Sequence, residues 1–403
     1  MKRVGFTVLF FLMTAVLVFA GGQKAGGASS SSTSGFDPSW DASPTIRLGV
    51  AITLTGTQSN SGRASERGAE LAVEEINAAG GINGKKLEVF KYDEKGQPAE
   101  ALMAITRLIE QDKVHVIWGP LSSNSVMGVG AYVNDAGVPA MGPAVGIIWL
   151  AQGWTYYFRA TANSQVQTIS AYNYFKQNGF KNIAYFNINE EYGNNSVKDM
   201  DDLVNQEKIM NVTVREMYKD GDTDFTAQCV RIKNADPDAV YMVAWSNDCG
   251  QLIKQLRAAG YDKPIFGDNS FTAKPLRDIA GRDSNNCFLT AAYILPDSPD
   301  EIDSNPAFSG KVINNFLKSF VKKYGELPNE DNAYRAYDGI RAIAKAIENA
   351  KSLKGAAIRD AIHAISGLES NIGIMDFARF PNGECVDSVS VWKIEDGRVL
   401  PLK

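Results

Sequence analysis

The clearest pattern of apolar and polar positions lies between residues 46 and 92. Ile46, Leu48, Val50 and Ile52 alternate with Arg47, Gly49 and Ala51, a period of two that predicts a strand, and residues 53–62 are rich in turn formers. The period then changes. Gly68, Leu71, Ala72, Ile76 and Ala79 recur at helical spacing while Glu70, Glu74 and Glu75 fall elsewhere, so a helix packs a small-residue face on the sheet. Gly80 and Gly81 end it, and Asn83-Gly84 turns the chain into a second strand carrying Leu87, Val89 and Tyr92. This strand, helix, strand unit predicts a parallel pairing with a right-handed crossover.

The alternation continues. A helix over 98–111 precedes a strand over 114–118; a turn at 119–124 opens a helix reaching Asp135; further strands are expected over 138–141 and 156–159. Asn163-Ser164 caps a helix that ends at Asn178-Gly179. A second series follows, with strands at 183–186, 212–218, 239–244 and 264–266 and helices at 192–208, 224–234 and 249–259. A further amphipathic helix over 332–351 buries Ala333, Ala336, Tyr337, Ile340, Ile343, Ala344 and Ile347 and reads as scaffold. The expected fold class is α/β, with two lobes of doubly wound parallel sheet. Such sheets bind ligands beyond the carboxyl ends of their strands. The loops to search are therefore 53–62, 119–124, 142–146, 187–193, 245–248 and 267–270.

Composition adds targeting and excludes some partners. Lys2 and Arg3 precede an apolar run over 4–19 that ends in Val18-Phe19-Ala20, which predicts a signal peptide over 1–20 cleaved after about Ala20. The alternative, an N-terminal membrane anchor, needs a longer apolar run. No cysteine follows the run, so a lipid anchor has no acceptor. Residues 21–43 read as a flexible Gly/Ser-rich leader. Removing Lys2 and Arg3 with the signal peptide takes the formal charge from −5 to −7, and no basic run invites nucleic acid. The expected location is the periplasm.

Candidate chemistry is sparse. Cys229, Cys249, Cys287 and Cys385 allow three pairings, and Cys229 shares a helical face with Phe225 and Ile232, as a buried thiol does. His115 and His363 are the only histidines; His115 sits in a strand-like run and reads as structural. Asp199, Asp201 and Asp202 read as a solvated helix face, and Trp149, Trp154, Tyr156 and Tyr157 as a packing cluster. Ser122, Ser123 and Asn124 at a helix start either cap the helix or offer hydroxyls and free N–H groups to a carboxylate.

Several stretches are specific enough to carry a resemblance: Thr55-Gly56, 67–70, 75–86, Tyr92-Asp93, 119–123, 136–139, Phe158-Arg159, Tyr192-Gly193, Asp224-Phe225, 234–239 and Tyr337-Asp338. In order from residue 46 to the end, they resemble bacterial leucine/isoleucine/valine-binding proteins. The resemblance implies a type I periplasmic binding fold: two doubly wound lobes joined by three crossovers near Ala162, Ala292 and Asn371. Lobe 1 would be 44–162 plus 292–371, and lobe 2 would be 163–291 plus 372–403. It implies a monomeric binding component that closes on a small ligand, an amino acid or amide, and delivers it to the membrane permease subunits of an ABC importer, with no cofactor.

The resemblance also places a pocket. Ser123, beside Ser122, takes the carboxylate-binding position, Ala144 offers main-chain contacts, and Tyr192 is the second-lobe tyrosine. Gly146 stands where a threonine usually helps hold the ligand's ammonium, and Asn269, next to Asp268, stands where an acid usually does. Ser61, Trp245 and Asn332 replace or shift usual aromatic positions. These departures predict a ligand other than leucine, isoleucine or valine: a polar or aromatic amino acid, or an amide or urea-like compound without the ammonium. A sensory receptor of the same fold is the alternative role. A serine hydrolase using Ser123 would need a base, and both histidines lie outside the expected cleft loops.

Overall fold

The computed structural model describes Phe36 and residues 38–402 except Pro381. The predicted signal peptide and residues 21–35 lie outside the described residues. From Phe36 the chain already packs: the Phe36 and Trp40 rings stack at 4.8 Å, Trp40 is buried, and Ser39 Oγ accepts the Leu353 N–H at 2.9 Å.

One sheet holds β1 (Ile46–Ile52), β2 (Leu87–Asp93), β3 (Val116–Trp118), β4 (Ala140–Gly142) and β5 (Tyr157–Arg159) in the order β2-β1-β3-β4-β5, every pair parallel. The second holds β6 (Asn182–Ile188), β7 (Asn211–Tyr218), β8 (Ala239–Val243), β9 (Ile265–Gly267) and β10 (Cys287–Ala291). Their order, β7-β6-β8-β9-β10, repeats the first. A hairpin, β11 (Leu368–Ser370) with β12 (Gly373–Met375), stands apart. The chain ends in β13 (Ser390–Glu395) and β14 (Arg398–Pro401), which extend the second sheet antiparallel beside β10.

Helices fill the crossovers. They are α1 (Pro38–Asp41), α2 (Ser59–Ala78), α3 (Pro98–Glu110), α4 (Ser123–Ala136), α5 (Ser164–Gln177), α6 (Glu191–Glu207), α7 (Thr226–Ala235), α8 (Ser246–Ala258) and α9 (Lys274–Ala280), then α10 (Glu301–Ser304), α11 (Lys311–Tyr324), α12 (Asn332–Ala350) and α13 (Gly355–His363). Among the described residues, no helix is long and apolar enough to cross a membrane.

Helices on both faces explain why β1 is buried almost throughout rather than on one face. Ile46, Leu48, Val50 and Ile52 enter the larger core, while Ala51 packs with Ala101, Ile105 and Leu108 beneath the other face. The predicted helix ends hold: Gly80 and Gly81 have φ of 104° and 81°, and Asn163 caps α5 by accepting the Val166 N–H at 2.9 Å.

Three sequence expectations need correction. The helix expected over 249–259 begins a turn earlier, at Ser246, which brings its first residues to a strand end. Asp199 is not solvated; it is buried beside Ser164, whose hydroxyl donates to it at 3.2 Å, whereas Asp201 pairs with Arg215 and Asp202 with Lys198 at the surface. The helix over 332–351 is more than scaffold, because its first turn reaches the cleft. The four cysteines are all free and buried, and burial pushes the Cys229 thiol up to about 12.

Candidate ligand-binding cleft

The carboxyl ends of β1, β3 and β4 meet those of β6, β8 and β9 at a polar cavity. From the first sheet come Ser61 on α2, Leu121, Ser122 and Ser123 after β3, and Pro143, Ala144 and Val145 after β4. From the second come Tyr192 on α6, Trp245 and Ser246 after β8, and Asn269 and Ser270 after β9. The start of α12 closes the ring with Glu330, Asp331, Asn332 and Arg335. Both lobes therefore contribute at the strand ends where doubly wound sheets bind ligands.

The two serines divide the alternatives that their sequence left open. Ser122 Oγ accepts the Ser125 N–H at 3.2 Å and lies 3.1 Å from Ser125 Oγ, so it serves as the cap of α4. Ser123 Oγ instead accepts the Gly146 N–H at 3.0 Å, which leaves its own hydrogen to donate. Gly146 is not on the cavity wall: a β-carbon there would stand 2.8 Å from Ser123 Oγ, so its missing side chain makes room for that serine. Arg159 holds this loop from behind. Its guanidinium donates to the Ala144 carbonyl and, at 2.6 Å, to the Gly146 carbonyl, while Nε pairs with Glu384 at 3.0 Å. Glu94, buried under the β3 loop, accepts the Leu121 N–H at 2.9 Å and the Thr53 hydroxyl at 3.0 Å.

On the opposite wall Tyr192 and Trp245 stack at 4.8 Å with 30° between their rings. The Tyr192 hydroxyl donates to Asp268, which also accepts the Ser270 N–H at 3.0 Å. Asp268 thus stands behind Tyr192, not on the wall. Asn269 Nδ2 donates to Asp331 at 3.1 Å, and its Oδ1 has no partner. Asp331 in turn receives Arg335. Glu330 accepts the hydroxyls of Ser61, at 2.8 Å, and Ser246, so a carboxylate of one lobe is bonded to a hydroxyl of the other. Burial raises the affinity of Glu330, Asp331 and Asp268 for protons.

Of the candidates drawn from the sequence, Ser122, Ser123, Ala144, Tyr192, Trp245 and Asn269 line the cavity, and Gly146 and Asp268 support it from one layer out. Sequence reasoning missed Glu330, Asp331, Arg335 and Ser246. Both histidines lie elsewhere. His115 Nδ1 accepts the Arg47 N–H at 3.0 Å, and burial lowers it to about 4; His363 packs edge-on against Phe158. Among the described residues no cluster of His, Cys, Asp and Glu is arranged to hold a metal ion.

Two doubly wound lobes that present facing polar strand ends define a two-lobed solute-binding protein. A family model described as periplasmic binding protein matches residues 45–398, and the chain belongs to that family. It is 26% identical to Leu/Ile/Val-binding protein homolog 3 of Brucella melitensis over 89% of this chain and 94% of that one. It is 27% identical to the leucine-, isoleucine-, valine-, threonine-, and alanine-binding protein of Pseudomonas aeruginosa, over 80% of this chain and 83% of that one. Among solved structures it is similar to the branched-chain amino acid transporter substrate binding protein LivJ from Streptococcus pneumoniae in complex with isoleucine. That match has a TM-score of 0.77 and 28% identity, covering 88% of this chain and 97% of the other. The family and these relatives are solute-binding proteins, not enzymes.

Proposed function

We propose that the chain is the extracytoplasmic binding component of an ABC importer and takes an α-amino acid of the branched-chain-binding type in the cleft between its lobes. The observation that carries this reading is the polar cavity at the facing strand ends, where Ser123 keeps a hydroxyl hydrogen to donate and Tyr192 and Trp245 form an aromatic wall. The relatives' named ligands, leucine, isoleucine, valine, threonine and alanine, agree with it. Ligand bridging of the two walls favours a closed arrangement, which the importer's membrane subunits distinguish from the open one.

The lobe boundaries proposed from the resemblance, 44–162 and 163–291, suit the division of β1 to β5 and β6 to β10 between two sheets. The third crossing is better placed after Glu384 than at Asn371. What supports the later position is that β12 pairs with β11, the Arg159 N–H donates to the Gly383 carbonyl at 2.9 Å, and Glu384 pairs with Arg159.

A thermal-shift screen of the purified protein against the twenty L-amino acids tests the function. A ligand at a hundred times its dissociation constant adds about 2.7 kcal/mol, a shift of several degrees or less for a chain of this size. A shift with one or more amino acids is the expected result. No shift with any of them refutes the amino-acid reading.

A further inference from the structure

Glu330 differs from every other charged group around the cavity. Asp331 has the Arg335 guanidinium, and Asp268, though bonded to the neutral Tyr192 hydroxyl and Ser270 N–H, also feels the Arg335 charge. Glu330 has only neutral donors: the hydroxyls of Ser61 and Ser246, and Asn332 Nδ2 at 3.3 Å. It is 2% exposed, and the formal charge beside it, Asp331, has the same sign. A buried carboxylate without a counter-charge costs free energy that neutral hydrogen bonds offset only in part. Three carboxyls here face a single guanidinium.

A second observation concerns Arg335. Arg335 is 3% exposed and lines the cavity; its two Nη atoms are engaged by the Pro143 carbonyl and Asp331, and its Nε donor has no partner. The cavity lining thus holds an acidic acceptor lacking a cation and a guanidinium with one N–H left unbonded. A zwitterion supplies both.

We propose that the ligand carries a protonated primary amine and that Glu330, from the first lobe, is the carboxylate that receives it, in place of Asn269 or Asp268 from the second. The ligand's acidic end then meets the Ser123 hydroxyl and Arg335 Nε. This deepens the amino-acid reading and rests on it. It runs against the expectation, drawn from Gly146 and Asn269, of a ligand without an ammonium. Because Glu330 already holds Ser246 across the cleft, an amine docking on it joins a contact that draws the lobes together.

The test compares L-amino acids with the α-hydroxy acids in which a hydroxyl replaces the amine, adding acetamide, urea and benzoate, by titration calorimetry on the intact protein and on Glu330→Gln. The expected result is that an amino acid binds, its hydroxy-acid counterpart binds at least tenfold more weakly, and Glu330→Gln lowers amino-acid affinity by tenfold or more. Asn269→Ala, which leaves Glu330 in place, is expected to lower it less. If an amino acid binds and Glu330→Gln changes its affinity less than twofold, the role of Glu330 is refuted while the amino-acid reading stands. Binding of acetamide, urea, benzoate or the hydroxy acids alone refutes both. Unliganded melting temperatures of the two variants within a few degrees of the parent show that lost affinity is not lost folding.

Discussion

Ser123 and Gly146 are joined across the mouths of β3 and β4: the serine hydroxyl accepts the glycine N–H at 3.0 Å, and the glycine has no side chain because the serine occupies that space. Its neighbour Ser122 spends its hydroxyl on the cap of α4. The adjacent serines should therefore separate experimentally. Ser122→Ala is expected to cost about 1 kcal/mol of stability, the usual cost of a lost cap, with affinity nearly unchanged. On the proposed reading Ser123→Ala removes a donor to the ligand's carboxylate, and it is expected to weaken amino-acid binding by about 1.5 to 3 kcal/mol, roughly tenfold to a hundredfold. Melting curves and calorimetry on both variants check this; equal affinity losses would show that the cap position also contacts ligand.

Arg159 should behave as the anchor of the cleft loop and not as a ligand contact. It is 1% exposed, donates to the carbonyls of Ala144 and Gly146, and pairs with Glu384, which also accepts from Asn163, the cap of α5, at 3.1 Å. Removing one partner leaves the other charge buried alone. Arg159→Met and Glu384→Leu are each expected to cost about 3 to 5 kcal/mol in denaturant unfolding, and the double variant less than the sum. Strict additivity would mean that the two groups do not depend on each other.

Much of this arrangement could be read from local pattern. The strand period from Ile46, the Gly80-Gly81 stop and the Asn163 cap depend on neighbours within a few residues, and they place the loops in which Ser123, Ala144 and Trp245 stand. Glu330, Asp331 and Arg335 were not legible. They open a helix that reaches the cavity from far along the chain, and no local period distinguishes an acid that caps a helix from one that faces a cleft. The one signal was Arg335, set among the apolar positions of α12, where a charged residue needs a partner. Asp268 shows the same limit: spacing locates a residue on a loop but does not say whether Tyr192 will stand in front of it.

Burial lifts the Glu94 carboxyl from 4.5 to about 7, and the wholly buried Asp338 from 3.8 to about 7. The folded protein therefore keeps these protons across a range in which the unfolded chain has released them. Where the folded state binds more protons, stability falls as pH rises. The melting temperature is expected to decline from about pH 4 to about pH 7 and then level off. Glu94→Gln removes one titrating group while keeping an acceptor for the Leu121 N–H, so its melting temperature should gain on that of the parent as pH rises through the same range. Parallel curves for the two proteins would rule Glu94 out as a source of the slope.

A close backbone approach between two helices of the first lobe sets the last expectation. Gly68, on the small face of α2, lies against α12: a β-carbon built on it would stand 1.8 Å from the Ala333 carbonyl oxygen and 2.7 Å from its carbon. Those are backbone atoms, which no rotamer change can clear, so even one methyl group must push the helices apart. Overpacking of this kind costs about 1 to 3 kcal/mol, which at this chain length lowers the melting temperature by several degrees. Gly68→Ala has a second consequence, because Ala333 lies in the first turn of α12, between Asn332 and Arg335 on the cavity wall. A shift of that turn moves Glu330 and Arg335 relative to Ser123, and amino-acid affinity should fall along with stability. Gly84→Ala is a suitable control: the methyl group meets nothing within 4 Å, and its φ of 86° strains an alanine locally, far from the cleft. It should lower the melting temperature and leave affinity unchanged. If Gly68→Ala binds as tightly as the parent, the start of α12 does not take part in binding.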